Sequence, residues 1–321
     1  MGRIIIYLIL ILTNRSCFAQ LSHANLIALG ESSHGYDTIN YLRLELLESI
    51  IKNKNISTIY FESPLIDGVC GYFNNYDYNY HVYPFWSSES FYPVFSNFLK
   101  HNNIKTLGFD PQENCNFRQF SSYLKKHKHI EINKYNLFLL AKMDSLLNLV
   151  LSDSIAKSTK RFLSKNDKEN LVNTVLEIKS KVICMDSIEF KLINLCLDNR
   201  IFLAEYLTIK NQYKRVLIRD KQMADNLIRL LSIFYTDNSI NVLWAASAHL
   251  AKENGIERGI PSMMELFLKT YKQNCYIINY NILPQDKWEY KRSIKYAQFD
   301  ETIIIKNVIR MNSSFIKYKC E

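Results

Sequence analysis

Asn25-Leu26-Ile27-Ala28-Leu29-Gly30-Glu31-Ser32-Ser33-His34-Gly35 is the stretch on which the fold turns. Its first five residues, apolar from Leu26 to Leu29, have the pattern of a strand buried on both sides. From Asp37 to Asn53, the apolar residues Ile39, Leu42, Leu46 and Ile50 recur at helical spacing. A strand that passes through a tight turn into a helix is the opening of a βαβ unit. An acid and a histidine between two glycines serve no packing purpose, so Glu31 and His34 are the first candidates for chemistry. In an open α/β sheet, such a turn lies at the carboxyl edge of the strands, where ligands bind near backbone N–H groups and positive helix ends.

Working outward, Thr58–Phe61 and Thr106–Phe109 are further strand-like runs, each followed by an acid, Glu62 and Asp110. Helical patterns separate them, one starting near Ser88 and running toward Asn102. Between these elements, Tyr72 to Trp86 concentrates aromatic residues among Asn and Asp, as expected of a loop that covers something. Tyr83 and Trp86 are its candidates for substrate contact, with Asp110 beside them. From about 117 to 231 the chain is rich in Lys, Glu and Leu at helical spacing, which predicts a helical insertion or cap. Strand character returns at Asn241–Ala246, followed by Ser247-Ala248-His249. A helix from Ser262 to Tyr271 and strands at Cys275–Leu283 and Thr302–Ile305 complete the pattern. The expected fold is α/β, a mostly parallel central sheet flanked by helices, in one domain spanning 20–321.

Bulk properties narrow the function classes. The 321 residues are 48% hydrophobic, enough for an ordinary core, and the formal charge is +9. Its densest cluster, Lys125-Lys126-His127-Lys128-His129, is no stripe, so nucleic acid is not expected as a partner. At the N-terminus, Arg3, the apolar run Ile4–Leu12 and Cys17-Phe18-Ala19 have the pattern of a cleaved leader over 1–19. The expectation is export to a periplasmic or extracellular space, without stable membrane insertion. Lipid attachment at Cys17 is disfavoured by the polar approach Asn14-Arg15-Ser16. Six further cysteines, Cys70, Cys115, Cys184, Cys196, Cys275 and Cys320, permit disulfides without demanding them. With no CxxC pair, a structural zinc or dithiol redox centre has little support.

If the sheet is parallel, Glu31, His34, Glu62, Asp110 and His249 meet at one edge. Two histidines among carboxylates suit either general-base hydrolysis, in which an acid orients an imidazole toward water, or a divalent metal site. A covalent serine route has little behind it, because there is no G-x-S-x-G elbow, and Ser32 and Ser33 adjoin His34 on one turn.

Five ordered blocks carry a resemblance. Gly30–Gly35, Ile59-Tyr60-Phe61-Glu62, Gly108–Gln112, Arg219–Asn226 and Trp244–His249 resemble the motifs of the erythromycin esterase family. What the resemblance implies is metal-free hydrolysis of an ester or related acyl bond in a small molecule. It makes His34 the general base, with Glu31 and Glu62 around it and Arg43 reaching in from the first helix. Arg43 and His249 would then stabilise the developing negative oxygen. The late motif departs from the family's Trp-Ala-His-Asn-x-His, because Ala246 and Ser247 stand at the histidine and asparagine positions and leave His249 alone. Two alternatives use the same residues: a metal-dependent hydrolase or peptidase, and a ligand-binding protein on a hydrolase scaffold.

Overall fold

The computed structural model describes residues 21, 23–32, 34–75, 77–78, 82–83, 86–112, 120–126, 133–156, 164–181, 187–234, 239–252, 260–271, 274–282 and 299–305. The expected leader, Cys115, Cys184 and Cys320 lie outside these residues. Six strands are present among them: β1 (Leu26–Glu31), β2 (Asn55–Pro64), β3 (Lys105–Asp110), β4 (Ser239–Ala246), β5 (Cys275–Ile282) and β6 (Glu301–Ile305). They form one sheet in the order β3-β2-β4-β1-β5-β6, with every pairing parallel. The expectation of an α/β fold on a parallel sheet is met.

That order explains where the helices go. The chain leaves β1, reaches β2 and then β3 in one direction, and returns to place β4 between β2 and β1. Crossovers between parallel strands are right-handed, so reversing direction moves the connecting helices to the other face. The outward helices α1 (Asp37–Ile51) and α3 (Tyr92–His101) accordingly pack on one face, against Ile27, Leu29, Ile59, Phe61, Val242 and Trp244. Also present is α2 (Leu65–Asn74), which follows β2 directly and lies on the opposite face.

The return connection holds α4 (Phe120–Lys126), α5 (Lys134–Ala156), α6 (Lys165–Lys181), α7 (Ile188–Tyr206) and α8 (Gln212–Phe234). Their apolar residues share a core with Leu26, Ala28, Tyr60, Leu107, Phe109, Leu243 and Ala245. This helical stretch is therefore the layer covering one sheet face. Two short helices lie between β4 and β5, α9 (Ser247–Leu250) and α10 (Met263–Thr270). Ser262 caps α10 by accepting from the Glu265 N–H at 3.0 Å, a Ser-x-x-Glu start of the capping-box kind.

Two local expectations change. The helix expected from Ser88 begins at Tyr92, with Pro93 in its first turn, where the missing N–H costs nothing. Ser88 still holds the turn before it, accepting the Phe91 N–H at 3.2 Å, while its hydroxyl donates to Asp37 Oδ1 at 2.6 Å and ties the aromatic segment to the start of α1. Gly68 and Gly108 let α2 lie directly on β3. A Cβ on Gly108 would come within 2.3 Å of the Pro64 carbonyl oxygen, so no larger residue fits without moving backbone.

Candidate functional site at the carboxyl edge

Strand alternation divides the acids. Glu31 continues the series Ile27, Leu29 and faces the α1 side, while Glu62 continues the series from Tyr60 and faces the α8 side. The result is two histidine–carboxylate pairs, one on each side of the sheet's edge.

The first is built on Glu31, whose side chain is only 1% exposed. Its Oε1 accepts from His34 Nδ1 and from Trp86 Nε1, both at 2.6 Å, and its Oε2 from Arg43 Nη1 at 3.3 Å. His34 keeps 43% of its side chain exposed and meets the Trp86 ring edge-on at 5.9 Å. With Nδ1–H committed to the carboxylate, Nε2 carries the imidazole lone pair. Gly35 follows at φ +83°, a left-handed turn that releases the chain toward α1 without the strain a side chain would add.

Arg43 is wholly buried. Besides Glu31, its Nη2 donates to the carbonyls of Leu29 at 2.8 Å and Ala245 at 3.2 Å, and its guanidinium lies 4.6 Å above the Trp244 ring. Burial pushes its pKa below the usual arginine range, and Glu31 pulls in the opposite direction. The cation expected to meet a reacting oxygen is thus enclosed, joining β1 to β4 and holding Glu31 in place.

The second pair is Glu62 with His249. His249 Nε2 lies 3.1 Å from Glu62 Oε1, and its Nδ1 lies 2.9 Å from Asp220 Oδ1, close in distance but off line for a hydrogen bond. Glu62 also pairs with Arg219 Nη2 at 3.2 Å and accepts the Ala246 N–H at 2.8 Å. Arg219 in turn donates through Nε and Nη2 to Asp110, at 3.2 and 2.6 Å. Burial disfavours the His249 imidazolium, but Glu62 and Asp220 outweigh it and raise its pKa to about 10. Burial likewise opposes the Glu62 carboxylate, and His249 and Arg219 hold its pKa well below the ordinary range.

These shifts predict a pH window for stability. His249 is raised, so its contribution is complete below its ordinary value near 6.5 and is lost as pH climbs through about 10. Glu62 is lowered, so its contribution is present above its ordinary value near 4.5 and is lost as pH falls toward its folded value. Thermal unfolding midpoints across pH should therefore plateau between these limits. His249→Gln should lower the plateau and flatten the alkaline fall; an unchanged alkaline limb would contradict the ion cluster.

The aromatic segment joins the two pairs. Trp86 is buried on Glu31, while the Tyr83 hydroxyl reaches Asp110 Oδ2 at 3.5 Å, and the two rings lie 6.2 Å apart. Asp110 is fully buried and also accepts the Gln112 N–H at 3.0 Å. Trp86 and Asp110, expected as substrate contacts, are both fully buried, Trp86 bonded to Glu31 and Asp110 to Arg219. Arg219 and Asp220 have no role in the sequence-based assignment, although the Arg219–Asn226 block belongs to the resemblance. Helical spacing marks them only as neighbours on α8. Their value comes from where the return connection sets that helix.

Among the described residues, no group of three or more His, Cys, Asp and Glu is arranged to hold a metal ion, and no helix is long and apolar enough to cross a membrane. Among the described residues, Cys70 and Cys275 are free thiols.

No protein-family model and no curated protein matches the chain. Solved structures do. A Bacillus cereus protein, 15% identical, aligns over 84% of this chain and 68% of its own, with a TM-score of 0.64. A histidine-to-asparagine mutant of erythromycin esterase EreC in its open conformation, 14% identical, aligns over 83% of this chain and 72% of its own, with a TM-score of 0.62. A succinoglycan biosynthesis protein, 15% identical, aligns over 84% and 68%, also with a TM-score of 0.62. At these identities the likeness is one of fold, and the fold of this chain is α/β of the erythromycin-esterase-like kind.

Proposed function

We propose that this chain is an exported hydrolase that cleaves an ester or related acyl bond of a small molecule by water attack, without a metal. The observation that carries the reading is the Glu31–His34 contact of 2.6 Å between a buried acid and a half-exposed imidazole. A carboxylate that fixes Nδ1–H leaves Nε2 to take a proton from water as the oxygen attacks the carbonyl carbon. The same proton then passes to the leaving alkoxide, giving acid and alcohol. His249 suits no such role, because its two carboxylate neighbours favour the charged form. It positions Glu62 and Arg219 instead. Arg43 and His249 are enclosed, so the charge on the developing oxygen falls to Arg219, whose side chain retains 20% exposure. The fold likeness to erythromycin esterase EreC supports hydrolysis as the reaction class.

The metal-dependent alternative draws less support from the donor set. The Glu31 and Glu62 oxygens already accept from Trp86, Arg43, Ala246 and Arg219, and a dication would stand against two guanidinium groups. A panel of p-nitrophenyl esters of graded acyl length, assayed before and after EDTA, tests the reading. Turnover that survives chelation is expected. Activity lost to EDTA and restored by zinc would overturn it, while stabilisation by an ester without turnover would favour a binding protein.

A further inference from the structure

The helix α8 runs against the strands. Its end, Phe234, lies by the start of β3, with Lys105 Nζ 5.4 Å from the Phe234 ring, whereas Arg219 meets Asp110 at the other end of that strand. Arg215, one turn earlier on the same helix face, therefore lies about 6 Å further out, beyond the carboxyl edge. Its guanidinium stacks over the Tyr206 ring at 4.5 Å. Tyr206 is itself fixed, because its hydroxyl accepts from Gln112 Nε2 at 2.8 Å, and Gln112 is bonded through its N–H to Asp110.

Arg215 is half-buried, yet among the described residues no carboxylate pairs with it, and its Nε is enclosed without a hydrogen-bond partner. Arg219, by contrast, is matched by Asp110 and Glu62. Nor does helix stability account for the residue. The first turn of α8 has no acid and carries Lys214 and Arg215, against the preference of a helix start for negative charge. A rigid, stacked and uncompensated guanidinium beside a hydrolytic edge has the form of an anion anchor.

We propose that Arg215 binds an anionic oxygen group of the substrate, so that the compound cleaved is an ester carrying a carboxylate on its acyl side. This rests on the hydrolase reading of the same edge. Arg215 sets which ester is held; Glu31 and His34 act on its carbonyl.

Two p-nitrophenyl esters with a common leaving group, the butyrate and the hemisuccinate, test the assignment in wild type, Arg215→Gln and Arg215→Lys. The wild-type preference for the hemisuccinate should fall by about tenfold or more in Arg215→Gln, chiefly through KM, and recover in part in Arg215→Lys. Succinate should also raise the thermal midpoint of wild type more than that of Arg215→Gln. If both esters turn over and their ratio is indifferent to residue 215, the anchor is wrong and the hydrolase stands. If neither ester turns over but succinate stabilisation depends on Arg215, the anchor stands and the hydrolase does not. Indifference in both measurements overturns the proposal.

Discussion

His34→Ala is expected to lower kcat/KM by about 10²–10⁴-fold, the range a positioned general base contributes. Stability should hardly move. His34 is 43% exposed on a turn, and surface replacements of that kind cost within about 0.5 kcal/mol. The midpoint should accordingly stay within about 2 °C of wild type. The companion change Glu31→Gln separates activity from stability. It removes the charge that fixes His34 Nδ1, so turnover falls, and it also strips the buried Arg43 of its counter-charge, so the fold weakens. Loss of activity in both variants, with loss of stability only in Glu31→Gln, is the expected signature. A His34→Ala protein that keeps most of its turnover would sink the assignment.

The contrast between those two variants shows what the sequence could convey. The apolar run Leu26–Leu29 before Glu31, and the alternation of strand and helix after it, sufficed for the parallel sheet, because buried strands and amphipathic helices have distinct local periods. The strand-end acids were legible for the same reason. Their partners were not. Whether Glu62 serves His34 or His249 depends on strand alternation combined with strand order, and the placement of β4 between β2 and β1 is a long-range outcome. Arg219 and Asp220 reach the site only because the reversal after β3 sends α8 to the Glu62 face. Trp86 was visible as an aromatic in a loop, but its burial on Glu31 depends on Ser88 and Asp37 tying that loop to α1. Local pattern thus located the edge, and long-range topology decided which charge neutralises which.

Arg43→Met should cost about 3–5 kcal/mol, because it leaves the Glu31 charge buried with no cation against it. That is a large share of the roughly 5–15 kcal/mol that holds a folded protein together. The methionine keeps much of the arginine's length against Trp244, so lost packing explains little of the cost. The carbonyls of Leu29 and Ala245 also lose a donor, at the point where β1 and β4 meet the site. A double variant, Arg43→Met with Glu31→Leu, removes both charges together and should be more stable than the sum of the single changes implies, by at least about 1 kcal/mol. It should nonetheless be inactive, since His34 then has no carboxylate. Urea unfolding of the four proteins in this cycle measures the coupling. Additive costs would mean that Arg43 serves mainly the sheet's backbone, whereas strong coupling with activity still absent would mean that a buried charge pair, dispensable for folding, is retained because it aims the histidine.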